Sequence, residues 1–355
     1  MTTVADRLAS ERKRSERQRE LRAAKRAARL AELARRKEEG VRKKRGVRDR
    51  LYSEYRMTPT KREVLVLLAQ YRYLRTTSLI ALLPHRHPQG LRATLRLLFD
   101  EGLITQPREA FKGYNSLITP NIYMLTEKGE THLHSIGIKP ELIARIYRKK
   151  TDAPIRNFGH AMMISDGLSS IQAGTLDTPV EFIPWTRIIH EHQSFKALKL
   201  PFSFTHNNEY VQDRLTSDGL FGLRFADGKV SYFMYEAEHF NPIEPTRDYR
   251  RPSTLKKVLG YRDISKTKIY SQIGITNMRV VFLFPTATRC KHAVEMAERV
   301  LKKPTNLFLF GVIPVQEDIL KAPPPMPELL TAPLARAGME PKPLYTPVDC
   351  KDLPQ

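Results

Sequence analysis

The sequence predicts an α+β chain of several domains: a basic helical arm, a helix-rich unit closed by a β-hairpin, and an α/β domain around a central mixed sheet. Three observations predict it. Residues 1–50 carry 19 basic and 8 acidic side chains, a net of +11 and half of the chain's +22, with apolar residues too sparse for a helix seam. Residues 58–135 show helical apolar spacing punctuated by caps and breakers. Beyond residue 157, helical stretches alternate with short apolar runs that are nearly continuous, the pattern of strands covered on both faces.

The chain divides at 1–50 (helical or disordered arm), 51–137, 138–157 (basic linker), 158–315 and 316–355 (Pro-rich, disordered tail with nine prolines in 321–355). A pI near 10 calls for a polyanionic partner. No run of 18 apolar residues exists, and the charged N-terminus lacks a signal core, so neither membrane insertion nor secretion is expected. Cys290 and Cys350 form no metal or disulfide pattern, and a cytoplasmic, bacterial location is the default expectation.

In the arm, alanines and charges favour a helix that orders along phosphates, and Arg42, Lys43, Lys44 and Arg45 form a dense basic cluster. Thr58-Pro59-Thr60 caps a helix from Lys61 to about Tyr73 through Val64, Leu65, Leu67 and Leu68. A short helix spans Thr77 to Leu83, and Pro84 stops it. A turn at 85–90, whose His85 and His87 read as polar turn residues, leads to a third helix, Leu91 to Glu101. There Leu91, Leu95 and Leu98 face inward and Arg92, Thr94 and Arg96 outward, and Gly102 ends it. Strands Leu103–Thr105 and Ile122–Leu125 flank Lys112-Gly113-Tyr114, and Thr126 starts a closing helix. This succession resembles bacterial winged-helix DNA readers. The resemblance implies a third helix in the major groove, with Arg86, Arg92, Thr94, Arg96 and the wing's Lys112 on DNA.

In the second domain a helix runs from Phe158 to about Gln172, a strand covers 180–184, and an irregular basic stretch reaches Asn208. That stretch holds His190-Glu191-His192, in which only His190 and His192 would share a strand face; a metal role there is not favoured. Next, runs 219–225 and 230–237 meet across Asp227-Gly228, a strong hairpin signal. Helix Ser253–Ile264, strand Arg279–Phe284, helix Arg289–Lys302 and strand Leu307–Val312 complete the domain.

The hairpin carries three carboxylates at its ends. Glu236 and Glu238 share a face because they are two residues apart. A two-residue loop at 227–228 would place Asp218 opposite Ala237, on the other face. A three-residue loop, 226–228 or 227–229, pairs Asp218 with Glu236 or Glu238; that longer loop, or a bulge near Asp218, is expected, since Gly228 suits a left-handed bulge position. Three such oxygen ligands suit Mg²⁺ or Mn²⁺.

Asp-Gly, strand, turn, strand, Glu-x-Glu, then a helix bearing Lys257-x-x-x-Tyr261, resembles the PD-(D/E)xK nuclease core, of restriction-endonuclease-like fold. Fused behind a winged helix and a basic arm, it resembles the MobC-type relaxases and replication-relaxation proteins of mobilizable plasmids, over residues 58–315. The resemblance implies Asp218 and Glu236 as metal-binding acids. Glu238 stands where the family has a lysine, and Lys257, its neighbour Lys256, or Arg247, Arg250 and Arg251 would supply the displaced positive charge. It implies a nickase acting on double-stranded plasmid DNA at a transfer origin, with an accessory mobilization or coupling protein as partner. A tyrosine-and-histidine relaxase chemistry through His190, His192 and Tyr210 lacks the alternating histidine triad. The alternatives are a non-catalytic DNA-binding regulator with a nuclease-like domain and an adaptor bridging DNA to a coupling protein.

Overall fold

The computed structural model describes residues 4–38, 57–107, 121–138, 158–191, 199–239, 241–245, 248–313 and 325–347. Arg42, Lys43, Lys44, Arg45, Lys112, His192 and Arg247, and residues 139–157 of the linker expected at 138–157, lie outside them. It is an α+β protein with a seven-stranded mixed sheet.

Helix α1 (Val4–Glu38) accounts for most of the arm, with Leu21 and Leu30 exposed. Helix α2 (Pro59–Tyr71) starts where the Thr58 hydroxyl accepts the Lys61 amide and Pro59 fills the first turn, and it ends at Arg72. Strand β1 (Leu74–Arg75), helix α3 (Thr76–Leu82) and helix α4 (Pro88–Asp100) follow. Helix α4 begins three residues earlier than expected, because His87 accepts the Gln89 amide as cap and Pro88 is pre-set for the first turn. Strands β2 (Ile104–Thr105) and β3 (Ile122–Leu125) join β1 in an antiparallel sheet of order β1-β3-β2, and α5 (Glu127–Ser135) closes the unit behind its Thr126 cap. The β1 strand was not expected; two residues leave no periodicity to read.

The large sheet has the order β12-β11-β10-β9-β8-β7-β4. Its strands are β4 (Glu181–Pro184), β7 (Gly219–Arg224), β8 (Val230–Ala237), β9 (Arg279–Phe284), β10 (Phe308–Val312), β11 (Leu334–Arg336) and β12 (Met339–Lys342). Strands β8, β9 and β10 are parallel to one another and the remaining pairings are antiparallel. Period-two alternation distributes the side chains between two layers. Phe221, Phe233, Tyr235, Val281 and Leu283 join the cluster of α6 (Phe158–Thr175). Leu220, Met234, Phe282 and Phe284 join that of α8 (Thr254–Thr267) and α9 (Ala287–Leu301). Helix α6 approaches β8 so closely that a Cβ on Gly167 would lie 2.0 Å from the Tyr235 hydroxyl, which donates to the Met163 carbonyl at 3.1 Å.

Two expectations fail here. The stretch expected to be irregular up to Asn208 contains α7 (Trp185–Glu191) and a two-stranded ribbon, β5 (Lys199–His206) with β6 (Glu209–Thr216). Asn207 and Asn208, both at positive φ (47° and 64°), make its two-residue turn. His190 therefore lies on a helix, not on a strand shared with His192. The tail is not wholly disordered either. A 3₁₀ turn (Pro327–Leu330) lies on α6, where Ser170 Oγ accepts the Met326 amide, and β11 extends the sheet beside β10. Leu329, Leu330, Leu334 and Leu344 are buried, so apolar spacing outweighs the described prolines, of which Pro327 opens the 3₁₀ turn and Pro341 stands on the sheet's edge strand. One apolar cluster runs from Val64 and Leu79 through Met163 and Leu168 to Leu283.

Candidate functional site

The hairpin β7–β8 sets the site. Phe225 accepts the Gly228 amide and donates its own amide to the Lys229 carbonyl, so the loop is 226–228, one of the two three-residue loops expected. Gly228 sits at φ +80°, where any other residue would be strained. With Gly219 opposite Tyr235, the ladder places Asp218 level with Glu236, on the face toward α8. Asp218 Oδ2 accepts the Ala237 amide at 3.0 Å, and the Glu238 amide continues the β8–β9 ladder to Leu283.

Helix α8 supplies the counter-charge. Ser253 caps it by accepting the Lys256 amide, and Lys257 and Tyr261, one turn apart, point at the acids. Lys257 Nζ lies 2.6 Å from Glu236 Oε2, 2.7 Å from Glu238 Oε1 and 3.6 Å from Asp218 Oδ2. The Tyr261 hydroxyl donates to Glu236 Oε1, and the Thr254 hydroxyl donates to Glu238 Oε2 at 3.3 Å. Both Glu236 and Glu238 are fully buried, while Asp218, Lys257 and His160 keep partial exposure, so the cluster opens to solvent on their side.

One residue the sequence did not flag joins the group. His160, in the first turn of α6, places Nε2 3.1 Å from Asp218 Oδ2. It lies 58 positions before Asp218, and a histidine in Phe158-Gly159-His160 carries no local signal.

The charges respond unequally. Burial drives the Glu236 carboxyl far above the usual range; Lys257 opposes this, and Asp218 and Glu238 reinforce it. Burial also acts on Asp218, but Lys257, His160 and the Ala237 amide outweigh it and hold Asp218 well below the usual range. Burial would lower Lys257; its three carboxylates win and keep it firmly protonated. His160 is raised, since Asp218 overcomes the effect of burial. Burial and the neighbouring Glu236 push the Tyr261 phenol up, so it serves as a donor.

Three carboxyl groups surround Lys257 and His160 in a site whose glutamates are fully buried, with Glu236 drawn toward its neutral form. Oxygen donors of this kind suit a hard divalent cation. Glu238 Oε1 is buried and faces the Lys257 ammonium at 2.7 Å. Among the described residues, however, no group of three or more His, Cys, Asp or Glu is spaced as a ready metal shell: the Lys257 ammonium lies between the acids.

The structure thus brings together Asp218, Glu236, Glu238 and Lys257. Lys256 is turned away, to Asp213 at 2.7 Å, and Arg250 and Arg251 lie exposed with Glu209 and Asp248 as neighbours, so none of the three supplies the central positive charge. In the N-terminal unit Arg92 is exposed on α4. The other expected contacts are engaged within the protein. Arg86 holds Glu63 through two hydrogen bonds, Arg96 folds back onto Asp100, and Thr94 donates to the Gly90 carbonyl. The i,i+4 spacing of Arg96 and Asp100 carried that pairing. No family model, curated protein or solved structure matches the chain. No helix among the described residues is long and apolar enough to cross a membrane.

Proposed function

We propose that the chain is a DNA-nicking protein of the plasmid-mobilization relaxase type, in which the β7–β8 and α8 cluster cuts one strand at an origin to which the N-terminal unit binds. The observation that carries this reading is the convergence of Asp218, Glu236 and Glu238 on Lys257 at the open end of a hairpin. Asp218 and Glu236, with Glu238 beside them, would hold Mg²⁺ or Mn²⁺. When bound, such an ion polarises the scissile phosphate and lowers the pKa of a coordinated water. Lys257, kept protonated, offsets charge that develops on the phosphoryl oxygens. Tyr261 and Thr254 fix the glutamates through their hydroxyls. The winged-helix reading of residues 58–135 is supported by three helices and a three-stranded antiparallel sheet in the appropriate order, and Arg92 is its free basic contact. The basic helix α1 would lie along phosphates.

Conversion of a supercoiled plasmid carrying its transfer origin to open circles tests this. Relaxation that requires Mg²⁺ or Mn²⁺, stops with EDTA and is lost in Glu236→Ala supports the nuclease. Tight origin binding with no nicking under either metal supports a second reading, a non-catalytic DNA-binding regulator. That reading is favoured by one observation, the ion pairing of Lys257 with all three acids. Deleting residues 1–50 should flatten the salt dependence of DNA binding, and an unchanged slope rules out the arm.

A further inference from the structure

The β5–β6 ribbon is left over by the site just described, yet it runs directly into it: β6 ends at Thr216, two residues before Asp218. Its two faces differ sharply. The inner face, Leu200, Phe202, Phe204, Val211 and Leu215, packs into the α8 cluster, and Asp263 on α8 accepts the Ser203 amide at 2.8 Å. The register pairs Lys199 with Thr216, Pro201 with Arg214, Ser203 with Gln212 and Thr205 with Tyr210, which puts all eight on the outer face. None of these is acidic; both acids of the ribbon, Glu209 and Asp213, fall on the inward register, and Asp213 is held by Lys256. Lys199 and Arg214 are exposed, and Tyr210 is 57% exposed, one of the few large apolar side chains so placed among the described residues.

We infer that this outer face is a second DNA-binding surface, a two-stranded ribbon laid in the major groove of the duplex next to the point of cleavage. Three features select duplex DNA as the occupant. The face offers two cations and no anion to a polyanion. A two-stranded ribbon matches the width of the major groove, where Gln212 is a side chain that reads base edges while Lys199 and Arg214 reach the flanking phosphates. Continuity with the carboxylate cluster limits the reach. Arg214 is four residues from Asp218, at most about 14 Å of extended chain, and Tyr210 eight, at most about 28 Å, so the contact falls within one turn of the duplex from the scissile phosphate. The ribbon would hold the substrate against the site, while residues 58–135 bind further off. The inference rests on the nuclease reading for the position of the cut, and its binding test is independent of cleavage.

The test uses the full chain and its Lys199→Gln/Arg214→Gln double variant. Anisotropy titrations with a fluorescent duplex are run over a series of salt concentrations, with the matching single strand as a second probe and thermal melting as a fold check. Nicking of supercoiled plasmid by the unsubstituted chain is scored alongside. Loss of two phosphate contacts should reduce the salt slope for duplex by about 1.8, with melting unchanged. A slope within error of the unsubstituted chain overturns the inference, as does a loss confined to the single strand. A reduced slope in a chain that never nicks would sustain the ribbon as a DNA surface and remove the nuclease reading; nicking with an unchanged slope would do the reverse.

Discussion

Two buried charge clusters divide the molecule by their arithmetic. In one, Arg75 at the end of β1 meets Asp166 on α6, with both nitrogens of its fork within 3.1 Å of the carboxylate. One cation faces one anion. The pair joins the N-terminal unit to α6, and a separate link is made by the Trp185 indole, which donates to the Gln70 carbonyl. Lys61 with Glu101, at 2.6 Å, is a second balanced pair. In the other cluster Lys257 and His160 face three carboxyl groups, of which burial pushes Glu236 toward its neutral form. A balanced buried pair is what a fold tolerates to fix a contact. A crowd of carboxyls with strongly displaced titrations, partly open to solvent, is costly to the fold and marks a functional candidate.

The largest expected effects break the two clusters from the cationic side. Lys257→Met leaves three carboxylates around an apolar tip and should cost about 3–5 kcal/mol, read by denaturant unfolding at neutral pH. Arg75→Met should cost a similar amount. The comparison sharpens when an anion is removed instead. Asp166→Asn strands a buried guanidinium and should again cost about 3 kcal/mol. Glu236→Gln relieves repulsion and keeps an acceptor for Tyr261, so its stability should equal or exceed that of the unsubstituted chain, while metal-dependent nicking falls by about 10²–10³-fold. Equal destabilisation by both anion removals would show that the excess is structural.

The second effect is a pH dependence. The folded Glu236 carboxyl titrates above its unfolded value, so the folded state holds that proton longer. Its stabilising contribution is present at acid pH and is lost as pH rises toward the raised folded value. Asp218 is depressed and works the other way, contributing above the ordinary carboxylate range and losing that contribution on acidification. Glu236→Gln removes only the first. The variant's stability relative to the unsubstituted chain should therefore climb as pH rises from the ordinary carboxylate range, by at most about 1.4 kcal/mol per pH unit, then level off. A flat difference between pH 5 and 8 would mean that Glu236 does not hold its proton in the fold.

The two clusters were not equally legible in the sequence. Asp227-Gly228 between apolar runs marked the hairpin, and two-residue spacing put Glu236 and Glu238 on one face, so the anions could be placed from local chemistry alone. Lys257 entered only through resemblance, because the meeting of α8 with β8 depends on a crossover that no local pattern reports. Arg75 and Asp166 are 91 positions apart and left no trace, and neither did His160. The ribbon did leave one: Leu200, Phe202 and Phe204 alternate up to Asn207-Asn208, and Val211 and Leu215 recur on the same face beyond it. Pro201 is tolerated because it stands on a two-stranded ribbon with no outer neighbour among the described strands to demand its amide. The proline-rich tail did mislead.

The smallest effect asks whether geometry or charge decides the difference between the clusters. The 226–228 loop, with Gly228 at φ +80°, fixes the register that levels Asp218 with Glu236. A Cβ at Gly228 would meet nothing within 4 Å, so Gly228→Ala adds backbone strain and no clash. The cost should be about 1 kcal/mol. All six β7–β8 ladder pairs would have to shift for the acids to separate, and β8 is also pinned by β9 through Tyr235, Glu236 and Ala237. The register should therefore survive, and nicking should stay within about twofold once the fold is populated. A loss approaching that of Glu236→Gln would show that the loop holds the acids together against their repulsion, and that the charge excess is stored in the turn rather than carried by the sheet.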